Sequence, residues 1–582
     1  MTPSAQLLTL LLAPAVPLAL AVAIMVRPGA EMPRRMVGWA ALPALVISLA
    51  MSPGIAATVP WVLEGSEFGL DETGRVFLLS SAALWLAAGT VAPSWVERPR
   101  ARFLVFFLLT MSGSLGIAIA RDVLSFYLFF ALMSFASYGL VVHDASTGAR
   151  RAGAVYMALV LAGDMMLFAG LLLIVHDAGG QMLFESVRGM LPTVLHGQAA
   201  LALVLVGFGV KVGVLGLHVA LPLIYGAAPI PGAVVLSGAV INGGLLGWLR
   251  ILPVGAGEAA AWGAPVAAAG MAAAFYGALV GVLQRRPAPV LAYSSISQMG
   301  IMTMAVGVSL TVPDPHRMLT SAIVLFALHH AFAKGALFFG LGVAERGVGR
   351  GRLLVGLGLL LPALALAGAP FTTGMLAKET LKEALALAPS PWRAVTQAAL
   401  PWMSVATTLV LARFLWLAWP RPRPRPEPGP RKALGRPGLL GWLGLLGLTA
   451  VAAWTVPVPH PDGLWSTKAV WAVTWPVLLG GGLAGLALHP RITLPRWRIP
   501  AGDVLVWALV VLDRVGRVWR ALAQRSLPAT RAALLGAGQW LASKPGWGRR
   551  AGAAETLLLA WRTAGVLLVL AIVVLWLVAL PG

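Results

Sequence analysis

The sequence predicts an all-α polytopic membrane protein with about 14–15 transmembrane helices, each some 20 residues long. The first observation is composition: of 582 residues, 59% are hydrophobic and 11% charged, with a mean hydropathy of +0.85. That exceeds what the core of a water-soluble protein needs. The second is segment length: apolar runs of about 18–25 residues suit helices across a hydrocarbon layer, and the alternating pattern of an outer-membrane barrel does not occur. The third is where the charge lies. Lys plus Arg number 43 against 21 Asp plus Glu, a net charge of +22, and the basic residues collect in alternate loops as the positive-inside rule requires. This surplus therefore reflects topology, with no nucleic-acid partner implied.

The first apolar stretch, Gln6 to Val26, has no basic region before it and no convincing cleavage site after it, so it reads as a retained helix. Arg27 to Arg35 follow, then a second helix to about Ser52 and an acidic loop with Glu64, Glu67, Asp71 and Glu72. Positive-inside charge puts the N-terminus outside. Helices are expected near 76–95, 103–120, 123–142, 152–175, 197–224, 230–251, 260–282, 288–308, 317–343, 353–388 with a break at Pro370, 396–418, 437–455, 469–488 and 557–580. The loops with Arg98, Arg100 and Arg102, with Arg150 and Arg151, with Arg285 and Arg286, and with Arg346 to Arg352 all fall on one face. So does the run Pro420 to Lys432 (PRPRPRPEPGPRK), an extended polyproline-like spacer.

Four regions follow. Residues 1–102 hold N-terminal membrane helices, 103–418 a core, 419–437 a Pro/Arg-rich cytoplasmic linker, and 438–582 further membrane helices. Between Leu505 and Leu541, Asp513, Arg514, Arg517 and Arg520 interrupt the apolar residues. This segment reads either as an amphipathic helix on the basic face or as a solvated surface packed on a loop. Gly340 to Gly351 is glycine-rich, but no strand precedes it, so a phosphate loop is not expected.

An ionisable side chain within an apolar span marks a candidate ion pathway. Lys211 lies in the middle of Leu201 to Tyr225, and His218 follows seven residues later, which predicts one shared helical face before Pro222 interrupts the helix. His330 and Lys334 stand one helical turn apart, where a histidine could pass a proton to a lysine; His329 points elsewhere and reads as a packed imidazole. Lys378 and Glu379 come just beyond the break, and Lys382 and Glu383 repeat the pair, which also fits an ion-pair cluster near water. Asp164 sits in an apolar helix without a basic neighbour and needs a partner from another helix. His143 and Asp144 read as an ordinary solvated helix end. Only seven residues of the chain are lysine, and arginine supplies the remaining basic charge. Lysine shifts its pKa when buried and arginine does not deprotonate, so titratable cations inside the spans suit a proton carrier. Cysteine is absent, which excludes thiolate metal sites and iron–sulfur clusters from this chain. No catalytic residue, metal or cofactor is expected, and an intramembrane enzyme finds no nucleophile or acid pair to support it.

At Lys211 to Pro231 (KVGVLGLHVALPLIYGAAPIP), Leu291 to Gly300 (LAYSSISQMG), His330 to Gly342 (HAFAKGALFFGLG) and Gly368 to Glu379 (GAPFTTGMLAKE), the sequence resembles the antiporter-like family of respiratory complex I. That family includes the large subunits of Mrp-type sodium/proton antiporters and of membrane-bound group 4 hydrogenases. The resemblance covers roughly residues 70–420. It implies two inverted five-helix repeats with broken helices, near 103–225 and 260–390, and proton translocation within a multi-subunit assembly of a prokaryotic plasma membrane, with sodium as an alternative ion. It also implies that Lys211 is the central lysine of the first half-channel, His330 and Lys334 the linking groups, and Lys378 the terminal charge of the second. Three departures stand out. Ala131 occupies the place of a glutamate that partners the central lysine, Asn242 that of a basic residue, and Arg286, Pro287 and Ala288 replace charged residues before LAYSS. Without the glutamate, Lys211 loses a stabilising partner, and two readings stay open: Asp164 substitutes for it, or the chain is a non-conducting scaffold.

Overall fold

The structure is a computed structural model that describes residues 3–502 apart from short stretches, the longest being 421–434 and 488–498, and beyond 502 only Arg514. The expected helix at 557–580, the segment Leu505 to Leu541 and nearly all of the proline-rich run lie outside the described residues. Among the described residues, 12 helices are long and apolar enough to cross a membrane.

Helix α1 (Pro3–Val26) leads to a second crossing cut into α2 (Glu31–Met36), a 3-10 turn (Val37–Trp39) and α3 (Leu42–Ala50). The acidic loop folds as an antiparallel hairpin of β1 (Ile55–Val59) and β2 (Ser66–Leu70), with Ile55 opposite Leu70. Then come α4 (Glu72–Trp95), α5 (Arg100–Ile119), α6 (Val123–Val141), α7 (Thr147–Asp177), the short α8 (Phe184–Met190), α9 (Gly197–Val212) and α10 (Leu221–Ala227). Helices α11 (Ile230–Val235) and α12 (Ile241–Ile251) form one crossing through a π turn at Leu236–Val240. The chain continues with α13 (Ala260–Val282), α14 (Pro287–Thr311), α15 (Met318–Glu345), α16 (Arg352–Ala367), α17 (Thr373–Ala386), α18 (Trp392–Ala418), α19 (Gly435–Val451) and α20 (Thr467–Ala487). Side-chain caps start several of them: Asp71, Asp122, Ser146 and Thr372 each accept from a backbone N–H in the first turn of the following helix.

Two crossings are broken. In the first, α9 ends at Val212 because Gly213 adopts a left-handed conformation, with φ of +79°. The expected continuous helix to Pro222 is therefore corrected: Lys211 closes α9, whereas His218 opens a separate 3-10 turn across the break. In the second, α16 ends at Gly368 (φ +83°) and α17 starts after Thr372. With each broken pair counted as one crossing, the five from α5 to α12 precede five from α13 to α18. Five is odd, so the second set starts on the opposite side of the membrane and runs inverted. The packing repeats accordingly: α5 lies along α6 as α13 lies along α14, and α7 lies along α9 as α15 lies along α16 and α17.

Small residues let backbones close up where no hydrophobic drive operates between helices. A Cβ on Gly270 of α13 would lie 2.3 Å from the Met304 nitrogen, and one on Gly300 of α14 would lie 2.5 Å from the Ala274 nitrogen. Replacing Gly300 with leucine is expected to separate α13 from α14; the yield of monodisperse protein after detergent extraction should fall severalfold, and a native yield would show that the seam is not required.

On the hairpin side, Asp71 accepts from Arg250 of α12 and from Arg121, the latter at 2.9 Å. Arg121 also reaches Glu67 at 3.8 Å and Glu185 at 3.5 Å. Burial would raise the Asp71 carboxyl, but Arg250, the Gly74 N–H and Arg121 together outweigh it and hold the pKa at about 2. A depressed native pKa contributes stability above the ordinary value of 3.8, lost as pH falls through about 2. Asp71→Asn should therefore lower the thermal midpoint at neutral pH, by the equivalent of about 1–3 kcal/mol, with the gap from the native chain closing between pH 4 and pH 2. Thermal scanning with size exclusion across that range checks it.

Candidate functional site

Lys211, His218, Asp164, His330, Lys334, Lys378 and Glu379 are all buried, whereas Lys382 is half-buried and Glu383 exposed. Lys211 occupies the last turn of α9, where a cation suits the carbonyl end of a helix. Its Nζ donates to Tyr156 Oη of α7 at 2.9 Å and lies 5.1 Å from the Tyr156 ring and 5.7 Å from that of Phe130. Tyr156 in turn donates to the Ser134 carbonyl at 3.1 Å and meets the Ser137 hydroxyl. Asp164 is 2% exposed on α7, next to Ser134 and Tyr127 and within the electrostatic reach of Lys211. Among the described residues no carboxylate lies within ion-pair distance of Lys211. Ala131 is half-buried on α6, and its neighbour Phe130 presents its ring to the ammonium instead.

A cavity of about 20 Å³ beside Lys211, Tyr156 and Tyr225 has room for one water. Its wall is the π turn, where the Leu236 carbonyl accepts from Tyr225 Oη at 3.2 Å. Turns of this kind recur at functional sites because they aim backbone groups that an α-helix would consume. Asn242, just beyond the turn, donates to the Ala327 carbonyl at 3.2 Å, which ties α12 to α15.

The middle of α15 holds His329, His330 and Lys334. Lys334 is fully buried and donates to the Leu291 carbonyl at 2.9 Å. That carbonyl belongs to the serine-rich stretch of α14, where Ser295 Oγ also donates to it at 3.2 Å. His330 lies one turn from Lys334, and neither ring nitrogen finds a hydrogen-bond partner among the described residues. His329 is corrected from a merely packed imidazole: its Nδ1 lies 3.0 Å from Thr373 Oγ1 at the start of α17, close enough to Lys378 to feel its charge.

Lys378 reaches back across the second break to the carbonyl of Ala367, the last residue of α16, at 2.7 Å, and to Ser404 Oγ at 3.0 Å. A Cβ on Gly374 would sit 1.6 Å from the Ala365 carbonyl oxygen, so only glycine lets α17 start there. Glu379 pairs with Lys382 at 2.9 Å, and a cavity of about 90 Å³ lined by Lys378, Glu379, Lys382 and Ser404 has room for several waters. His218 is brought neither to Lys211 nor into this row. It is fully buried, accepts from the Gly216 N–H at 3.2 Å, and packs edge-on against Tyr276 of α13 at 5.3 Å.

Lys334, His330 and His329 lie along the middle of α15 with Lys378 in α17 beyond Thr373, and Tyr156 joins Lys211 to Ser134, beside which Asp164 lies; these are groups that exchange protons when solvated. Tyr156, Tyr225 and Ser404 escaped the sequence reading, and His329 entered it only as a packed imidazole. Tyr156 was visible as a hydroxyl in the apolar helix of Asp164, but nothing in one sequence says which helix that hydroxyl meets.

Residues 120–400 match the family model described as NADH:quinone oxidoreductase/Mrp antiporter, TM. The chain is 29% identical over 245 residues to hydrogenase-4 component B of Escherichia coli, covering 41% of this chain and 36% of that protein. It is 28% identical over 367 residues to the putative antiporter subunit mnhA2 of Staphylococcus saprophyticus, covering 57% and 45%. It spans less than half the length of these two relatives. The Mrp complex from Dietzia sp. superposes with a TM-score of 0.67 at 21% identity, over 92% of this chain and 63% of that one, which shows the fold. Residues 120–400 therefore carry a domain similar to the NADH:quinone oxidoreductase/Mrp antiporter family, within a polytopic membrane chain whose fold resembles that of the Mrp complex.

Proposed function

We propose that the chain is a proton-translocating subunit of a multi-subunit membrane assembly of the complex I, Mrp or membrane-bound hydrogenase kind. The observation that carries this reading is the set of three buried lysines, each hydrogen-bonded to a neutral oxygen: Tyr156 Oη, the Leu291 carbonyl and the Ala367 carbonyl. A neutral acceptor does not lock an ammonium in its charged form as a paired carboxylate would, so each site can take and give up a proton. Lys211 with Asp164 serves the first repeat, His330 and Lys334 form the link, and Lys378 with Glu379 serves the second. Protons are the ions moved, with sodium as the alternative. Redox chemistry, where the assembly performs it, belongs to its other subunits.

The second reading, a non-conducting scaffold, rests on Ala131, which leaves Lys211 without a carboxylate at ion-pair distance, and on Asn242, held by the Ala327 carbonyl. The two readings part in everted vesicles carrying the whole assembly. Under the conducting reading, Lys211→Ala and Lys378→Ala each lower proton uptake at least roughly tenfold while subunit composition is unchanged. Lys211→Arg keeps the charge but cannot release the proton, so it blocks uptake as fully as alanine does. Uptake that survives all three substitutions assigns the protons to neighbouring subunits.

The positive loops imply a prokaryotic plasma membrane with the N-terminus outside and the linker at 419–437 in the cytoplasm. Alkaline phosphatase fused in the β1–β2 hairpin should be active and a fusion after Arg286 inactive; the reverse pattern inverts the orientation.

A further inference from the structure

The hairpin side carries a cavity of about 760 Å³ that no step of the pathway uses. The β-hairpin, α8, the end of α12 and the start of α15 wall it, and Arg121, Arg188, Arg250 and Arg317 line it together with carboxylates. Those carboxylates are largely engaged. Asp71 accepts from Arg250 and Arg121, Glu67 and Glu185 face Arg121, and Asp314 accepts from the Met318, Leu319 and Thr320 N–H groups at the start of α15. Glu72 lies in the first turn of α4, which favours a negative charge.

The arginines are not balanced in the same way. Among the described residues Arg188 and Arg317 donate no side-chain hydrogen bond and enter no ion pair, and the Arg250 Nε is buried without a partner. Arg188 is half-buried; burial first, then Arg317 and Arg250, weigh against its charge, and Glu185 and Asp71 offset them only in part. Guanidinium groups do not deprotonate in proteins, so the forks of Arg188 and Arg317 keep unpaired donors even though five carboxylates line the cavity beside the four arginines. Arg317 also sits in the left-handed region at φ +51°, an uncommon conformation for a residue with a side chain, directly before α15.

We propose that this cavity binds a phosphate-type oxyanion, gripped by the guanidinium forks of Arg188 and Arg317 with Arg250 behind them. Arginine forks match phosphate oxygens two at a time and desolvate more readily than ammonium groups. The volume exceeds one inorganic phosphate and accommodates a phosphorylated head group, so a free phosphate and an anionic phospholipid present the same chemistry.

The test uses the purified intact assembly in nanodiscs of phosphatidylcholine, alone or mixed with phosphatidylglycerol. Labelled inorganic phosphate measures binding, and native mass spectrometry counts retained lipid. Saturable phosphate binding in both disc types identifies a free anion, whereas phosphatidylglycerol retained by the native chain and competing with phosphate identifies a head group; either supports the site. Arg188→Gln and Arg317→Gln should each weaken the interaction roughly tenfold to a hundredfold, and Arg285→Gln on the opposite face should leave it unchanged. Should the glutamine variants fail to assemble, Arg188→Lys, which keeps the charge but loses the fork, should give an intermediate loss. An assembly that binds neither probe above the phosphatidylcholine level, or binds as tightly with Arg188 and Arg317 replaced, overturns the proposal.

Discussion

Hydrocarbon offers no hydrogen bonds, so every backbone group freed inside a membrane and every buried charge has to find its partner within the protein. Most of what distinguishes this chain from an ordinary helix bundle follows from that constraint. Two crossings are broken, at Gly213 and at Gly368, and a lysine attends each. Lys378 donates to the last carbonyl of α16, and Lys211 sits in the last turn of α9. At the second break, interruption and cation solve one problem between them, because the broken helix exposes a carbonyl that the ammonium group needs; at the first, the ammonium meets the Tyr156 phenol. Lys334 makes the same bargain without a break, at the Leu291 carbonyl in the serine-rich part of α14.

The crossing of α11 and α12 from the first set and the broken crossing of α16 and α17 from the second both pack against the long α15. His330 and Lys334 occupy one side of that helix, and His329 turns toward Thr373 and α17. Gly270 and Gly300 allow close backbone approach between α13 and α14 within the second set. A hydrogen bond from Gln298 to Thr407 ties α14 to α18 within the second set, and one from Asn242 to the Ala327 carbonyl ties the two sets together.

The surroundings of Lys211 bear on how such a site works without the glutamate that the resemblance leads one to expect. Its charge is met by a phenol oxygen and two aromatic faces, with Asp164 farther off behind Ser134. Aromatic faces stabilise a cation less than a carboxylate does and hold it less tightly. Lys211 and Asp164 thus both lie near Ser134, Lys211 by way of Tyr156, without direct contact with each other.

The sequence by itself determined the membrane class, the crossings among the described residues and the positions of the buried charges, because hydropathy and charge along a chain are local properties that bilayer thickness filters directly. It also placed Lys334 one turn after His330 and Lys378 just beyond a break. It misjudged the first interruption: Pro222 looked like the breaker, but Gly213 and Gly216, each with φ above +75°, end the helix earlier and carry His218 away from Lys211. Partners were decided by the tertiary structure alone. That Tyr156 meets Lys211, that His329 faces Thr373, and that four arginines from the turn between α5 and α6, from α8, from α12 and from the turn before α15 line one cavity are facts about which helices lie side by side. Lipid-facing and protein-facing apolar residues look alike in composition, so a single sequence carries little signal for helix adjacency.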